Sequence, residues 1–468
     1  MASLVLAAVL AGGAGRPSAP EPVVAHYHVI AEAGARALRV EARFEEPPAG
    51  GLIFEDGMGR HARDVEVARG RSWSPVAVAE DALVAPPCAR GCRVRYRFRL
   101  DEAARAARER RSAFEQEGAF VAAPSAWLLR PWRHGPGRYR LAVETPPGVS
   151  FATGLFASPG GAYEAPLVDL PEAPYSAFGP LDRARVRVGG GEVEVAILPG
   201  PTAVGRAAVL AWVEAAAADV AAYYGRLPVP RVLVLVVPGG RRPVGYGTTM
   251  GNGGASIMIW LGPGARAEDL RRDWVLTHEM VHLGLPNVPR AERWLEEGLA
   301  TYVEPVARAR RGRLRAEEVW GDLVRRTPQG LPGPGGLEAN RGFGPVYWGG
   351  ALFWLLADVE IRERTAGRRT LQDALRGVGE KGGSIAVTWD AARLLSTADE
   401  AVGVDVLVPL HARLARAAGE VDLPALWARL GIEDQGGIRF HDEAPLAAVR
   451  RAITLPSAPE AAAPTPRP

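Results

Sequence analysis

The chain has 468 residues, of which 47% are hydrophobic and 23% charged. That balance belongs to an ordinary globular protein, long enough for two or three domains. The formal charge is only +3, the arginines are scattered among acids and Lys381 is the sole lysine, so no nucleic-acid partner is expected.

Residues 1–21 hold an apolar run and then small residues, without a basic flank. The pattern reads either as a signal or leader segment or as a fortuitous apolar start, and we expect export, to the bacterial periplasm or beyond. A membrane-spanning helix needs about 20 apolar residues. This run is shorter, and no transmembrane segment is expected.

Residues 22–180 read as a β-sandwich-like domain. Stretches 26–30, 38–44 and 92–100 alternate apolar with polar residues, the period of half-buried strands. In the last, Val94, Tyr96 and Phe98 share one face and arginines the other; such a row is either a solvated sheet face or a polyanion site. A short helical insert is expected over 101–114. Cys88 and Cys92, the only two cysteines, fit a small disulfide loop in an exported protein, or else two reduced thiols. His26, His28, His61 and His134 lack ligand spacing and read as surface or structural residues.

Strands are expected at 183–198, then an alanine-rich helix over 203–224 ended by Gly225. The continuous apolar run 231–237 suits a buried strand. A glycine-rich loop (245–254), a strand (255–261) and a helix (267–285) follow, then helices at 290–310, 347–364 and 371–375. Between them, 327–343 is rich in glycine and proline, and an irregular stretch of that length in a compact domain is often functional. Residues 381–455 read as a helical C-terminal part, with helices at 402–418 and 423–430, and 456–468 as a disordered tail.

The helix at 267–285 carries His278-Glu279-Met280-Val281-His282. Residues four apart on a helix lie on one face, so His278 and His282 can hold one metal ion with Glu279 beside them. This is the HExxH arrangement of zinc hydrolases, although two histidines at this spacing also occur as plain core or surface residues. A catalytic zinc takes three protein ligands and leaves one position to water. Twelve residues past His282, Trp294-Leu295-Glu296-Glu297-Gly298 opens another helix, and Glu297 supplies the third donor. One Zn²⁺ is therefore expected on His278, His282 and Glu297, with Glu279 as the base that takes a proton from the attacking water.

Residues 294–304 resemble the WLNEGFASYVE stretch of aminopeptidase N-type gluzincins, with Glu297 on the ligand glutamate and Glu296 in place of the asparagine. Residues 346–356, Val-Tyr-Trp-Gly-Gly-Ala-Leu-Phe-Trp-Leu-Leu, resemble the tyrosine segment of those enzymes. They are closer still to glycyl aminopeptidases and to bacterial peptidase MA-like proteins. The resemblance covers about residues 250–380. It implies a β-rich N-terminal domain and gives Tyr347 the role of oxyanion donor; from the residues alone, Tyr347 could equally be a packed aromatic. It also exposes a departure. The family binds the free α-amine with a glutamate on the strand before the active helix, where this chain has Met250-Gly-Asn252-Gly-Gly-Ala-Ser256. An amide cannot pair with an ammonium as a carboxylate does, so aminopeptidase specificity is in doubt. The backbone of Asn252, Gly253, Gly254 and Ala255 is instead expected to bind substrate as an added strand.

The expectation is an α+β protein: a β-rich N-terminal domain, a thermolysin-like zincin catalytic domain over 181–380 and a helical C-terminal part. Its function would be zinc-dependent hydrolysis of a peptide or protein substrate. The alternative is a zinc-stabilised binding or assembly protein on a peptidase scaffold.

Overall fold

The computed structural model describes residues 21–84, 88, 91–107, 113–133 and 135–456. His134, most of the leader and most of the tail lie outside the described residues.

In the N-terminal part, alternation does what the strand period dictates. Ala25, Tyr27, Val29 and Ala31 of Val23–Ala31 are buried, as are Val94, Tyr96 and Phe98 of Cys92–Phe98. These strands belong to a seven-stranded sheet, antiparallel except where Val23–Ala31 runs parallel to Arg138–Glu144. Two four-stranded sheets share its apolar cluster, which includes Tyr27, Phe44, Trp127, Tyr139 and Phe178. Buried phenols need acceptors, and Tyr27 and Tyr96 donate to the carbonyls of Leu129 and Trp127 at 2.7 and 2.8 Å. The arginine row resolves into cross-strand ion pairs: Arg93 with Glu41, Arg95 with Glu66 and Arg97 with Glu32, each at 2.6 Å. Its charge is spent within the sheet. His26 and His28 stand 3.2 and 2.8 Å from Glu45 and Glu144, while His61 is buried. Cys88 and Cys92 are joined in a disulfide.

A five-stranded sheet follows, in the order Asp182–Val188, Gly191–Ile197, Arg231–Pro238, Ser256–Leu261, Val244–Met250. The three middle strands are parallel and both edge strands antiparallel. Parallel neighbours need a long crossover, and the helix Arg206–Tyr224 provides the first, ending at Gly225 with φ 81°. The uninterrupted apolar run of Arg231–Pro238 has a two-sided cause. Val232, Val234 and Val236 face the helical core, whereas Leu233, Leu235 and Val237 pack with Phe114, Val121, Tyr175 and Ala177 of the N-terminal part.

The helix Arg206–Tyr224 is long and apolar enough to cross a membrane, the one such helix among the described residues. Its Val209, Val213, Ala217, Val220 and Tyr223 are buried in the core cluster. That cluster continues through the C-terminal helices to Ile453.

Several element boundaries differ from the sequence reading. The helix expected over 267–285 is broken into Ala267–Arg272 and Val275–Val281, with a 3-10 turn His282–Gly284. Asp273 causes the break: its carboxylate accepts from the amides of Val275 and Leu276 and from the Trp212 indole, all at 3.0 Å. It thereby caps the histidine helix as an internal start. Residues 402–418 are not one helix, because Gly403 ends Ala391–Val402 in a left-handed conformation and Leu407–Leu414 begins afresh. Of the insert expected over 101–114, Leu100–Ala106 is helical and Ala113–Gln116 is a strand.

Candidate metal centre

Three helices build the site: Val275–Val281, Arg293–Arg310 and Phe343–Arg364. Helical spacing brings the two imidazoles together edge to face, their ring centroids 5.1 Å apart and their planes at 79°. Glu297 reaches across from the next helix, its Oε2 3.5 Å from His278 Nε2 and 3.7 Å from His282 Nε2. Donor atoms of all three residues lie within 4.8 Å of one another. Zinc bonds of about 2.0–2.1 Å at tetrahedral angles put ligand atoms roughly 3.3 Å apart. Two nitrogens and an oxygen at these separations suit such an ion.

The other oxygen of Glu297 is occupied. Arg293, one turn earlier on the same helix, donates to Oε1 through Nε at 3.0 Å and Nη2 at 2.6 Å. This leaves Oε2 alone to face the histidines. Burial would raise the Glu297 carboxyl, but the hydrogen bond with His278, the charge of both imidazoles and Arg293 outweigh it and hold it well below the usual range. Burial lowers His282 toward its neutral form against the pull of Glu297.

Glu279 is driven the other way. Burial raises its carboxyl, opposed by His282 and by a hydrogen bond from Thr249. Thr249 Oγ1 donates to Glu279 Oε2 at 2.6 Å from the antiparallel edge strand Val244–Met250. Two residues earlier the strand passes so close that a Cβ on Gly247 would lie 2.3 Å from Glu279 Cγ. Two neighbouring carboxylates pushed in opposite directions are a recurrent sign of divided acid–base roles.

Tyr347 stacks on His278, with centroids 5.8 Å apart and planes 9° from parallel, and on Phe343 at 4.1 Å. Burial and the Glu297 charge push its phenol up, so it stays protonated and able to donate. Its placement depends on a glycine pair. A Cβ at Gly298 would lie 2.2 Å from Gly350 Cα, and one at Gly350 would lie 2.0 Å from the Trp294 carbonyl oxygen. The backbones of the Glu297 and Tyr347 helices therefore touch, which only glycine permits.

Glu279, His282, Glu297, Thr249 and Tyr347 line a cavity of about 670 Å³. The stretch Asn252 to Ala255 does not line it, and the expected substrate strand there is corrected by the structure. Asn252 is buried at φ 63°; its Nδ2 donates to Glu172 at 2.8 Å, and its Oδ1 accepts from Asn287 and Thr388 at 3.0 and 3.1 Å. Its own amide and that of Gly253 are bonded to Ile385 and Ala386, and that of Ala255 to Gly154. Gly254 lies against the Gly154 carbonyl, where a Cβ would be 2.2 Å from the oxygen. No free donor row remains for a peptide. The segment facing the cavity is Tyr246 to Thr249, on the open edge of the sheet.

Nearby carboxylates are structural. Glu296 accepts from the Val288 amide at 2.8 Å and burial pushes it up to about 7. Thr301 makes a local bond to the Glu297 carbonyl at 2.7 Å, and Glu304 pairs with Arg308 at 2.6 Å. Arg293 and Thr249 escaped the sequence reading. Arg293 left a signal, an arginine four residues before a glutamate on one helix face; Thr249 left none, since strand and helix meet only in the fold.

No family model matches the sequence, and no curated protein matches it. Solved structures do match. An aminopeptidase N family protein from Idiomarina loihiensis superposes with a TM-score of 0.63 at 13% identity, over 87% of this chain and 78% of that one. The M1 zinc metallopeptidase of Deinococcus radiodurans gives 0.54 at 15% identity, over 86% of this chain and 95% of its own. The chain shares the fold of the M1 zinc metallopeptidases. Legionella pneumophila aminopeptidase A gives 0.51 at 11% identity, over 85% of this chain and 49% of that one. The M1-like fold accounts for the order of parts found here, a β-rich N-terminal region ahead of a largely helical C-terminal one.

Proposed function

We propose that this protein is a zinc metallopeptidase with a thermolysin-like catalytic region, holding one zinc ion on His278, His282 and Glu297. The observation that carries this reading is the convergence of three zinc-type donors, two of which line one cavity together with a buried glutamate and a protonated phenol. The shared fold supports it, and a mutant of the Deinococcus radiodurans enzyme was solved with a Tyr-Ser-Ala substrate.

The bound ion would supply Lewis acidity, polarising a carbonyl and lowering the pKa of water. Glu279 takes the proton of the attacking water and passes it to the leaving amine. Thr249 fixes the carboxylate for that transfer. Tyr347 donates its hydroxyl hydrogen to the developing oxyanion. Arg293 keeps Glu297 ionised and turned toward the histidines. Removal of N-terminal residues has no support at Asn252, whose amide is consumed by structural bonds. Division at residue 180/181 and export are parts of the same reading, the latter supported by the Cys88–Cys92 bridge.

Replacing Glu279 by Gln is expected to leave zinc content intact and to lower kcat by about 10²–10⁴-fold. Elemental analysis alongside turnover on a peptide library tests this. Undiminished cleavage by the Gln variant rules the mechanism out.

A further inference from the structure

Beside the catalytic cavity lies a second one of about 860 Å³, within the usual size of a ligand site. The two share Arg290, Arg293 and Tyr347, and the second adds Arg341 and Glu338. A chain whose carbonyl meets Tyr347 therefore runs past two guanidinium groups into a chamber holding a third.

The balance of charge there is one-sided once existing partners are assigned. Glu338 pairs with Arg416 at 2.9 Å, and Glu292 beneath it faces His411 at 3.3 Å. Glu296 accepts the Val288 amide and Glu297 is held by Arg293. The Arg290 carbonyl accepts the Arg293 amide, while the Arg290 guanidinium has no hydrogen-bond or carboxylate partner among the described residues. Arg341 Nη1 donates only to the carbonyls of Glu338 and Asn340, at 2.6 and 2.8 Å. Those bonds hold the side chain at the rim and leave its charge uncompensated. A guanidinium presents its donors in a planar fork that matches a carboxylate.

We infer that this chamber selects substrates by a carboxylate, bound by Arg290 and Arg341, so that the enzyme prefers peptides carrying a negative charge beside the scissile bond. The inference rests on the peptidase reading for its position along the substrate. The carboxylate is either an aspartate or glutamate side chain or the free C-terminus of a short peptide; both present the same group to the fork. The same field disfavours a free ammonium group in the chamber, consistent with the loss of the amine-binding glutamate from 250–256.

The test uses the full-length zinc-loaded protein and matched peptides: Asp or Glu against Asn or Gln on either side of the cleaved bond, and free against amidated C-termini. The first pair reports a side-chain carboxylate and the second a terminal one. For at least one pair, kcat/KM is expected to favour the anionic member by about 10-fold or more. In R290Q/R341Q that ratio should fall toward one, while R290K/R341K keeps part of it; unchanged zinc content and Tm confirm that the fold is intact. Wild-type protein that treats every pair alike, or a ratio unmoved in R290Q/R341Q, overturns the inference. If no peptide is cleaved, the peptidase reading fails separately, and calorimetric binding of the same pairs still decides: equal affinity for charged and neutral members overturns the carboxylate site.

Discussion

Thr249 Oγ1 meets Glu279 twice, at 2.6 Å from the carboxylate Oε2 and at 2.9 Å from the backbone carbonyl, and the shorter contact holds the base. A hydrogen bond to a charged acceptor contributes about 1.5–3 kcal/mol, which corresponds to roughly 10-fold or more in rate when it positions a base. Thr249→Val is expected to lower kcat by about that factor while zinc content and KM hold, which steady-state kinetics with metal analysis would show. At a second position, away from the metal, burial and the neighbouring Glu172 push Asp169 up to about 6 against the pull of Arg138. A carboxyl whose folded value lies above its unfolded one stabilises fully below about pH 4 and loses that contribution as pH rises through 6. Asp169→Asn should therefore be more stable than the parent at pH 8, by roughly 1 kcal/mol after discounting for partial exposure, with no gain at pH 4. Denaturant titrations at the two pH values check the sign.

At the scale of elements, the decisive contact is the crossing of the Glu297 and Tyr347 helices at Gly298 and Gly350. Both glycines are visible in the sequence, but nothing local says that they touch. A methyl group at either has nowhere to go, because backbone atoms stand where the Cβ would be. Overpacking of this kind costs about 1–3 kcal/mol. Gly350→Ala is expected to lower Tm by several degrees and to reduce activity further than the stability loss explains, since the shift moves Tyr347 relative to Glu297. Activity measured well below the transition temperature separates the two effects. The broken histidine helix teaches a related lesson. Asp273 reads as an ordinary charged residue within a helical stretch, and only its burial against Trp212 turns it into the cap that starts the helix at Val275.

Over the whole molecule, the five-stranded sheet is covered on both faces, by the helical core and by the N-terminal strands through Leu233, Leu235 and Val237. The three donors come from the helix Val275–Val281, the 3-10 turn that follows it and the helix Arg293–Arg310, so an ion bound to the native state alone would add to global stability. At free zinc about 100-fold above its dissociation constant the gain is about 2.7 kcal/mol. A calorimetric scan should show Tm rising with zinc and falling with chelator, and His282→Ala should abolish the dependence. A Tm indifferent to zinc in the parent protein would contradict binding at this site.

The sequence by itself determined what depends on short spacing. A spacing of four puts His278 and His282 on one face of any helix, alternation buries Val94, Tyr96 and Phe98, and the apolar run within 231–237 suits a buried strand. Composition gave the expectation of no nucleic-acid partner, from a formal charge of only +3. Tertiary structure alone decided the partners that come from distant elements: Thr249 on Glu279, Gly298 against Gly350, Arg290 and Arg341 around one chamber. It also turned Asn252 inward, although its place in the chain had suggested the cleft. Local periodicity is set by backbone geometry and survives in isolation, whereas these contacts exist only after strands and helices separated by tens of residues have packed together.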